Sequence, residues 1–169
     1  DQLVGAMAKG EKPAERWRIG TEHEKFVYCR GDHHAPSYDE PGGIRDLLMA
    51  LTEFGWEPVY EGDNVIAMSG PDGTVSLEPA GQLELSGAPL ENLHQTCAET
   101  GRHLKQVKAI GEKTRLAFLG LGLWPDKKRS DLPIMPKGRY EIMLRHMPRV
   151  GSMGLDMMLR TCTIQVNLD

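Results

Sequence analysis

The sequence predicts an α+β fold built on a mostly antiparallel sheet. Apolar and polar residues alternate over several short segments, the period-two signature of half-buried strands. Gly62-Asp63, Pro71-Asp72-Gly73 and Pro79-Ala80-Gly81 separate four such segments at hairpin spacing. Helical stretches interrupt the strands without strict alternation, which argues against a parallel doubly wound sheet.

Residues 1–17 read as helical, with Leu3, Met7 and Trp17 as apolar anchors and Pro13 opening a second turn. A strand over 18–28 and a loop over 29–41 follow. Ile44, Leu47, Leu48 and Leu51 fall at helical spacing, and Gly55 ends that pattern. Strands are expected at 56–60, 64–69, 74–78 and 82–86. A helix from Leu90 to Thr114 carries the stripe Leu90, Leu93, Cys97, Leu104 and Val107. Residues 116–123 read as a buried apolar strand, 137–147 and 152–159 as short helices, and 161–169 as a last strand. Met153, Met157 and Met158 read as core filler.

Composition narrows the class. With 169 residues, 40% of them hydrophobic, the chain can bury a core without a disulfide or zinc staple. A net charge of −4 and no basic tail disfavour nucleic acid or an anionic membrane as partner. No apolar run approaches the ~18 residues of a membrane span. The basic cluster Lys127-Lys128-Arg129 lies in a Pro-rich turn and reads as a solvated loop. The three cysteines, Cys29, Cys97 and Cys162, form no CxxC pair, which favours a reducing, cytoplasmic setting. The sequence begins with Asp and breaks off within a strand pattern, so it is expected to be part of a longer protein.

The chemistry is expected on the polar strand faces. Glu22 and Glu24 share one face of 18–28, together with Phe26. Thr74, Ser76 and Glu78 lie opposite Val75 and Leu77; Gln82, Glu84 and Ser86 lie opposite Leu83 and Leu85. In the last strand Gln165 and Asn167 alternate with Ile164, Val166 and Leu168. A solvated outer face is one reading. However, these faces carry carboxylates and amides with almost no Lys or Arg, and like charges directly opposite repel. Oxygen-only donors select a hard cation such as Mg²⁺, which completes its shell with water and phosphate oxygens. The alternative reading is thus a nucleotide-phosphate site on a sheet face. There is no GxxxxGK[ST] and no HExxH. His23 points away from its flanking glutamates and reads as a hydrogen-bonded structural residue. The loop pair His33-His34 is open to adventitious metal.

The blocks RIGTEHEKF at 18–26, SLEPAGQLELSGAPLENLHQTCAE at 76–99, MPKGRYEIM at 135–143 and VGSMGLDMMLRTCTIQVNLD at 150–169 resemble glutamate–cysteine ligases of the plant and proteobacterial type. That family belongs with the glutamine synthetase-like carboxylate–amine ligases. The resemblance implies a curved antiparallel sheet with the site on its concave face and helices packed outside, here the N-terminal portion of one catalytic domain. It implies ATP-dependent, Mg²⁺-dependent joining of glutamate to cysteine through γ-glutamyl phosphate, the first step of glutathione synthesis. It marks Glu22, Glu24 and Glu84 as catalytic carboxylates. Glu22, Glu24, Glu78 and Glu84 would serve as metal ligands, and Gln165, Asn167, Arg139 and Arg160 as substrate or nucleotide contacts. Glutamate, cysteine and ATP are the implied partners, with a homodimer of the full-length protein and a plastid location (if of plant origin) also compatible. A related ligase with another amine acceptor and an inactive metal-binding fragment are the competing readings. Two departures stand out: Ala80 and Leu83 occupy positions where the family motif carries Gly and Phe, so a positive φ at Ala80 would be strained. Plant members use a redox-sensitive disulfide, and Cys97 matches one position; a buried helix-face thiol is the expectation here.

Overall fold

A computed structural model describes residues 1–169. Its elements are helix α1 (Gln2–Ala8), strand β1 (Ile19–Cys29), α2 (Ile44–Ala50), β2 (Glu57–Glu61), β3 (Asn64–Gly70), β4 (Gly73–Leu77), β5 (Leu83–Gly87), α3 (Leu93–Thr114), β6 (Leu116–Leu119), α4 (Gly138–Val150), α5 (Gly154–Arg160) and β7 (Ile164–Leu168). The α+β expectation holds. Seven strands form one open sheet in the order β2-β3-β4-β5-β1-β6, with β7 also paired to β1. Every ladder is antiparallel.

Strand β1 organises the sheet. Its eleven residues pair with β7 at 19–23, with β5 at 22–25 and with β6 at 26–29. This explains why β6 is shorter than the apolar run 116–123 suggested. Past Leu119 the edges of β1 are already taken by β5 and β7, so the run leaves the sheet and Leu121 and Leu123 are exposed. The predicted alternation is seen in β4 and β5: Val75, Leu77, Leu83 and Leu85 are fully buried, while Thr74, Ser76, Glu84 and Ser86 are half-buried. Helices α2 and α3 cover the sheet, with Ile44, Leu47, Leu48, Val107 and Ile110 in the core. Phe26 shares the parity of Glu22 and Glu24 but is sealed by Trp124, whose ring stacks on it at 4.4 Å. No helix is long and apolar enough to cross a membrane.

Several packing expectations are corrected. Leu3, Met7 and Trp17 are exposed and anchor nothing; α1 ends at Ala8, and only a 3-10 turn over Ala14–Arg16 follows. In α3 the buried face is Glu99, His103, Val107, Ile110 and Gly111, whereas Leu93, Cys97 and Leu104 face solvent. The helix also starts at Leu93 rather than Leu90. Asn92 caps it by accepting from His94 N and Gln95 N, both at 3.1 Å, and Leu90 exchanges backbone hydrogen bonds with Ile19. Cys97 is thus an exposed thiol, not a buried one. Of the three methionines near α5 only Met158 is buried. Ile164, Val166 and Leu168 of β7 are exposed, so the apolar face of that strand has no cover within these residues.

The buried polar face of α3 is partly compensated. Glu99 Oε1 accepts from Ala88 N at 2.8 Å, and its Oε2 lies where a Cβ on residue 87 would sit, so Gly87 is required there. His103 is different: both ring nitrogens are buried without a partner. Burial, aided by the Lys25 and His23 charges, pushes its pKa down from 6.5 to about 3. The folded state therefore holds His103 neutral while the unfolded chain protonates it below about pH 6.5. That difference vanishes above this pH and lowers stability as pH falls toward 3, by up to about 1.4 kcal/mol per pH unit. His103→Leu is expected to flatten this acid dependence and to raise stability at pH 7 by about 1–3 kcal/mol. Urea melts at pH 7 and pH 5 check both; equal pH slopes in the two proteins would contradict the assignment.

Candidate active site

The β1–β5 register sets Glu24 directly opposite Glu84 and Glu22 opposite Ser86; the β4–β5 register sets Ser76 opposite Glu84. Glu78 lies just past β4, where its N–H donates to Gln82 O at 2.9 Å across the turn. The positive φ of that turn falls on Gly81, at 83°, so Ala80 carries no strain. One carboxylate oxygen from each of Glu24, Glu78 and Glu84 can be chosen so that all three lie within 4.8 Å of one another. The structure thus gathers three of the four predicted acidic residues.

The fourth, Glu22, stands on the same face but is held by amides. Its Oε1 accepts from Gln165 Nε2 at 3.2 Å and Asn167 Nδ2 at 3.1 Å, and the two amides bond each other at 3.0 Å. Glu24 is latched by Thr163, whose N–H and hydroxyl donate to its two oxygens at 2.8 and 2.9 Å. Ser86 donates its hydroxyl to Glu84. These bonds orient the carboxylates without neutralising them. Burial, then Glu84, pushes the Glu78 carboxyl up to about 7, with Glu24 adding and Arg139 opposing. Such a carboxylate cluster fits a hard cation, since it supplies only oxygen donors and repels itself without one.

A cationic arm approaches from the start of α4. Arg139 Nη2 lies 3.4 Å from Glu78 Oε1, and its guanidinium sits 5.0 Å over the Tyr140 ring. Buried Lys137 donates to Leu77 O at 2.7 Å, and Tyr140 donates to the same carbonyl. Burial and the neighbouring Arg139 lower Lys137 to about 8. Lys137 was missed in the sequence, where a lysine before a helix reads as a surface residue. Lys25 was missed too: it is buried beneath the sheet, donates to His23 O at 3.1 Å and is lowered to about 8 by burial.

Two sequence assignments land elsewhere. Arg160 pairs with Asp156 at 3.0 Å, one helical turn away, and makes no bond to the glutamates. Gln82 does not join the polar face. It is buried, accepts from Ala80 N at 2.9 Å and donates to Thr161 O at 3.0 Å, tying the turn to the entry of β7. His23 is the structural residue expected, with Nε2 at 3.1 Å from Thr21 Oγ1 and 3.2 Å from Thr100 Oγ1.

The family model for glutamate-cysteine ligase family 2 matches residues 18–169. The chain is 56% identical over 170 residues to glutamate–cysteine ligase A, chloroplastic, of Oryza sativa subsp. japonica, covering 100% of this chain and 34% of that protein. It is 55% identical to the chloroplastic glutamate–cysteine ligase of Medicago truncatula, over 99% of this chain and 32% of the relative. Identity to the Arabidopsis thaliana enzyme is 54%, over 100% and 32%. The chain thus spans about a third of the length of the curated relatives it matches.

The Glu24–Glu84 opposition makes a direct prediction. Glu84→Gln is expected to stabilise the fold by about 0.2–1 kcal/mol in chelator. If the cluster binds Mg²⁺, the ion is expected to raise the melting temperature of the unaltered protein and to leave that of the variant unchanged. Thermal melts with and without Mg²⁺ test this; an undiminished Mg²⁺ response in the variant would exclude Glu84 from the cation site.

Proposed function

The chain belongs to glutamate-cysteine ligase family 2, and from that premise we propose that the whole protein joins the γ-carboxylate of L-glutamate to the amine of L-cysteine. In this reaction the γ-phosphoryl group of ATP passes to the glutamate γ-carboxylate, releasing ADP. The cysteine amine then displaces phosphate and loses a proton, giving γ-glutamylcysteine. This would be the first step of glutathione biosynthesis. The observation that carries the proposal is the Glu24, Glu78 and Glu84 cluster with Arg139 beside it.

A bound Mg²⁺ would neutralise phosphate charge. Glu24, Glu78 and Glu84 are the proposed ligands, with Glu22 completing the acidic face. Phosphoryl transfer of this kind depends on positioning and charge stabilisation more than on a protein nucleophile. Arg139 is suited to a phosphate or glutamate carboxylate oxygen, because its exposed guanidinium carries five donors in a fixed fork. Lys137 adds positive charge under the same corner while bonded to Leu77 O. Gln165 and Asn167 present amides that bond each other and Glu22, leaving donors and acceptors for substrate. Arg160 would have to leave Asp156 to take part, so Arg139 is the stronger candidate. Residues 1–169 are read as part of one catalytic domain. The chloroplastic names of the relatives favour a plastid over the cytoplasm for this protein.

ADP release by the full-length protein, with glutamate and a panel of amino acids, tests the assignment. Cysteine is expected to stimulate turnover most, and no stimulation by cysteine would remove it as acceptor. Glu78→Gln is expected to lower kcat by at least about 100-fold with an unchanged circular dichroism spectrum, as loss of a charge-stabilising group does. Unaltered turnover would strike Glu78 from the site.

A further inference from the structure

A second cluster lies at the far end of β1, five residues beyond Glu24 and so roughly 17 Å along the strand. It contains Cys29, the last residue of β1, and His34 and Glu40 from the loop that follows. We propose that Cys29, His34 and Glu40 form a zinc-binding site, with Asp32 fixing the imidazole from behind. The site is separate from the acidic cluster and different in donor chemistry.

The distances fit a zinc ion. Zinc with one sulfur, one nitrogen and one oxygen ligand at tetrahedral angles sets the S···N and S···O separations at about 3.5 Å and N···O at about 3.3 Å. Here Cys29 Sγ lies 3.4 Å from His34 Nε2 and 3.9 Å from Glu40 Oε1, and Nε2 lies 2.8 Å from Oε1. Each separation is within about half an ångström of the zinc value. The shortest belongs to a hydrogen bond whose proton the ion would replace. A mixed sulfur, nitrogen and oxygen set suits zinc and disfavours Mg²⁺.

The surroundings hold these donors in place. His34 Nδ1 lies 2.6 Å from Asp32 Oδ1, the carboxylate–histidine arrangement that orients a metal-bound imidazole through its other nitrogen. Ser37 N donates to Glu40 Oε2 at 2.8 Å, which turns Oε1 toward His34 and Cys29. Cys29 N donates to His34 O, and His33 N to Cys29 O, both at 3.0 Å, so the two donor residues are clamped across one turn. His34 and Asp32 are exposed, which leaves an entry path and room for a water as fourth ligand. A Cys–His nucleophile is the competing reading, but two carboxylates beside the thiol would repel its thiolate. The nearby Arg30 is already paired with Glu112 at 2.9 Å. The only cation among these groups is therefore His34 itself, held between Asp32 and Glu40, and a zinc ion would take the place of its Nε2 proton.

The test uses the full-length protein stripped with chelator and then titrated with zinc against a chromophoric chelator, in excess Mg²⁺ to occupy the carboxylate face. One zinc per chain is expected, and zinc should shield Cys29 but not exposed Cys97 from iodoacetamide in mass spectrometry. Cobalt in place of zinc should give a thiolate-to-metal charge-transfer band. Asp32→Asn is expected to weaken zinc binding about 10–100-fold, and Cys29→Ser by more while also removing the band. Cys97→Ser should leave both unchanged. No zinc binding, or binding indifferent to Cys29→Ser with no protection of Cys29, overturns the proposal. The protection and cobalt measurements need no variant, so a misfolded Cys29→Ser protein would not spare it.

Discussion

The pairing register of β1 with β5 is the constraint on which the candidate site depends. It places Glu24 opposite Glu84, and on the same face it ranks Glu22 with Ser86. A one-residue slip would turn Glu84 toward the helices and Leu83 or Leu85 toward the polar side. Burying a carboxylate there and exposing two leucines that are now fully buried would cost several kcal/mol. The apolar face therefore enforces the polar one: Val75, Leu77, Leu83 and Leu85 fix the register, and the register brings like charges together. Repulsion between those carboxylates is tolerated because it is small beside that packing.

Charge compensation comes from outside the sheet. The carbonyl of Leu77 anchors both Lys137 and Tyr140, and so brings the start of α4 to the end of β4. Arg139 then meets Glu78. Gln82 performs the matching task on the other side, tying the Ala80 turn to the backbone at Thr161. From there Thr163 reaches Glu24, and Gln165 and Asn167 reach Glu22. Two connections outside the carboxylate cluster thus decide which side chains meet on the acidic face.

This division explains how much the sequence disclosed. Strands β1 to β5, the hairpin turns between them and the four glutamates were legible, because period-two alternation and turn chemistry are local. The partners Lys137 and Gln82 were not, because their roles arise from burial against residues some 60 to 80 positions away. Helix α3 misled for a related reason. Its most apolar stripe, Leu93, Cys97 and Leu104, faces solvent, and the covered face carries Glu99 and His103. A hydropathy pattern assigns such a face to water; only the position of Ala88 N and the small Gly87 shows what Glu99 is for. The resemblance to a ligase family supplied site residues that spacing alone left open between a solvated face and a cation site.

The two clusters on β1 differ in the property that would keep them apart. At Glu22 and Glu24 the strand offers carboxylate oxygens to a hard cation, with Glu78 and Glu84 beside them. At Cys29 the same strand ends in a sulfur that meets an imidazole and one carboxylate. Nitrogen and sulfur donors prefer zinc, whereas carboxylate and water oxygens suit Mg²⁺. A thiolate and an imidazole supply the first preference at the strand's end, while three oxygens in an open cluster give zinc the least advantage. A dedicated soft site beside a hard one would therefore hold zinc where it does not displace Mg²⁺, and the rigid strand between them fixes their separation. Donor chemistry, set by single residues at either end of one strand, would then decide which ion sits where.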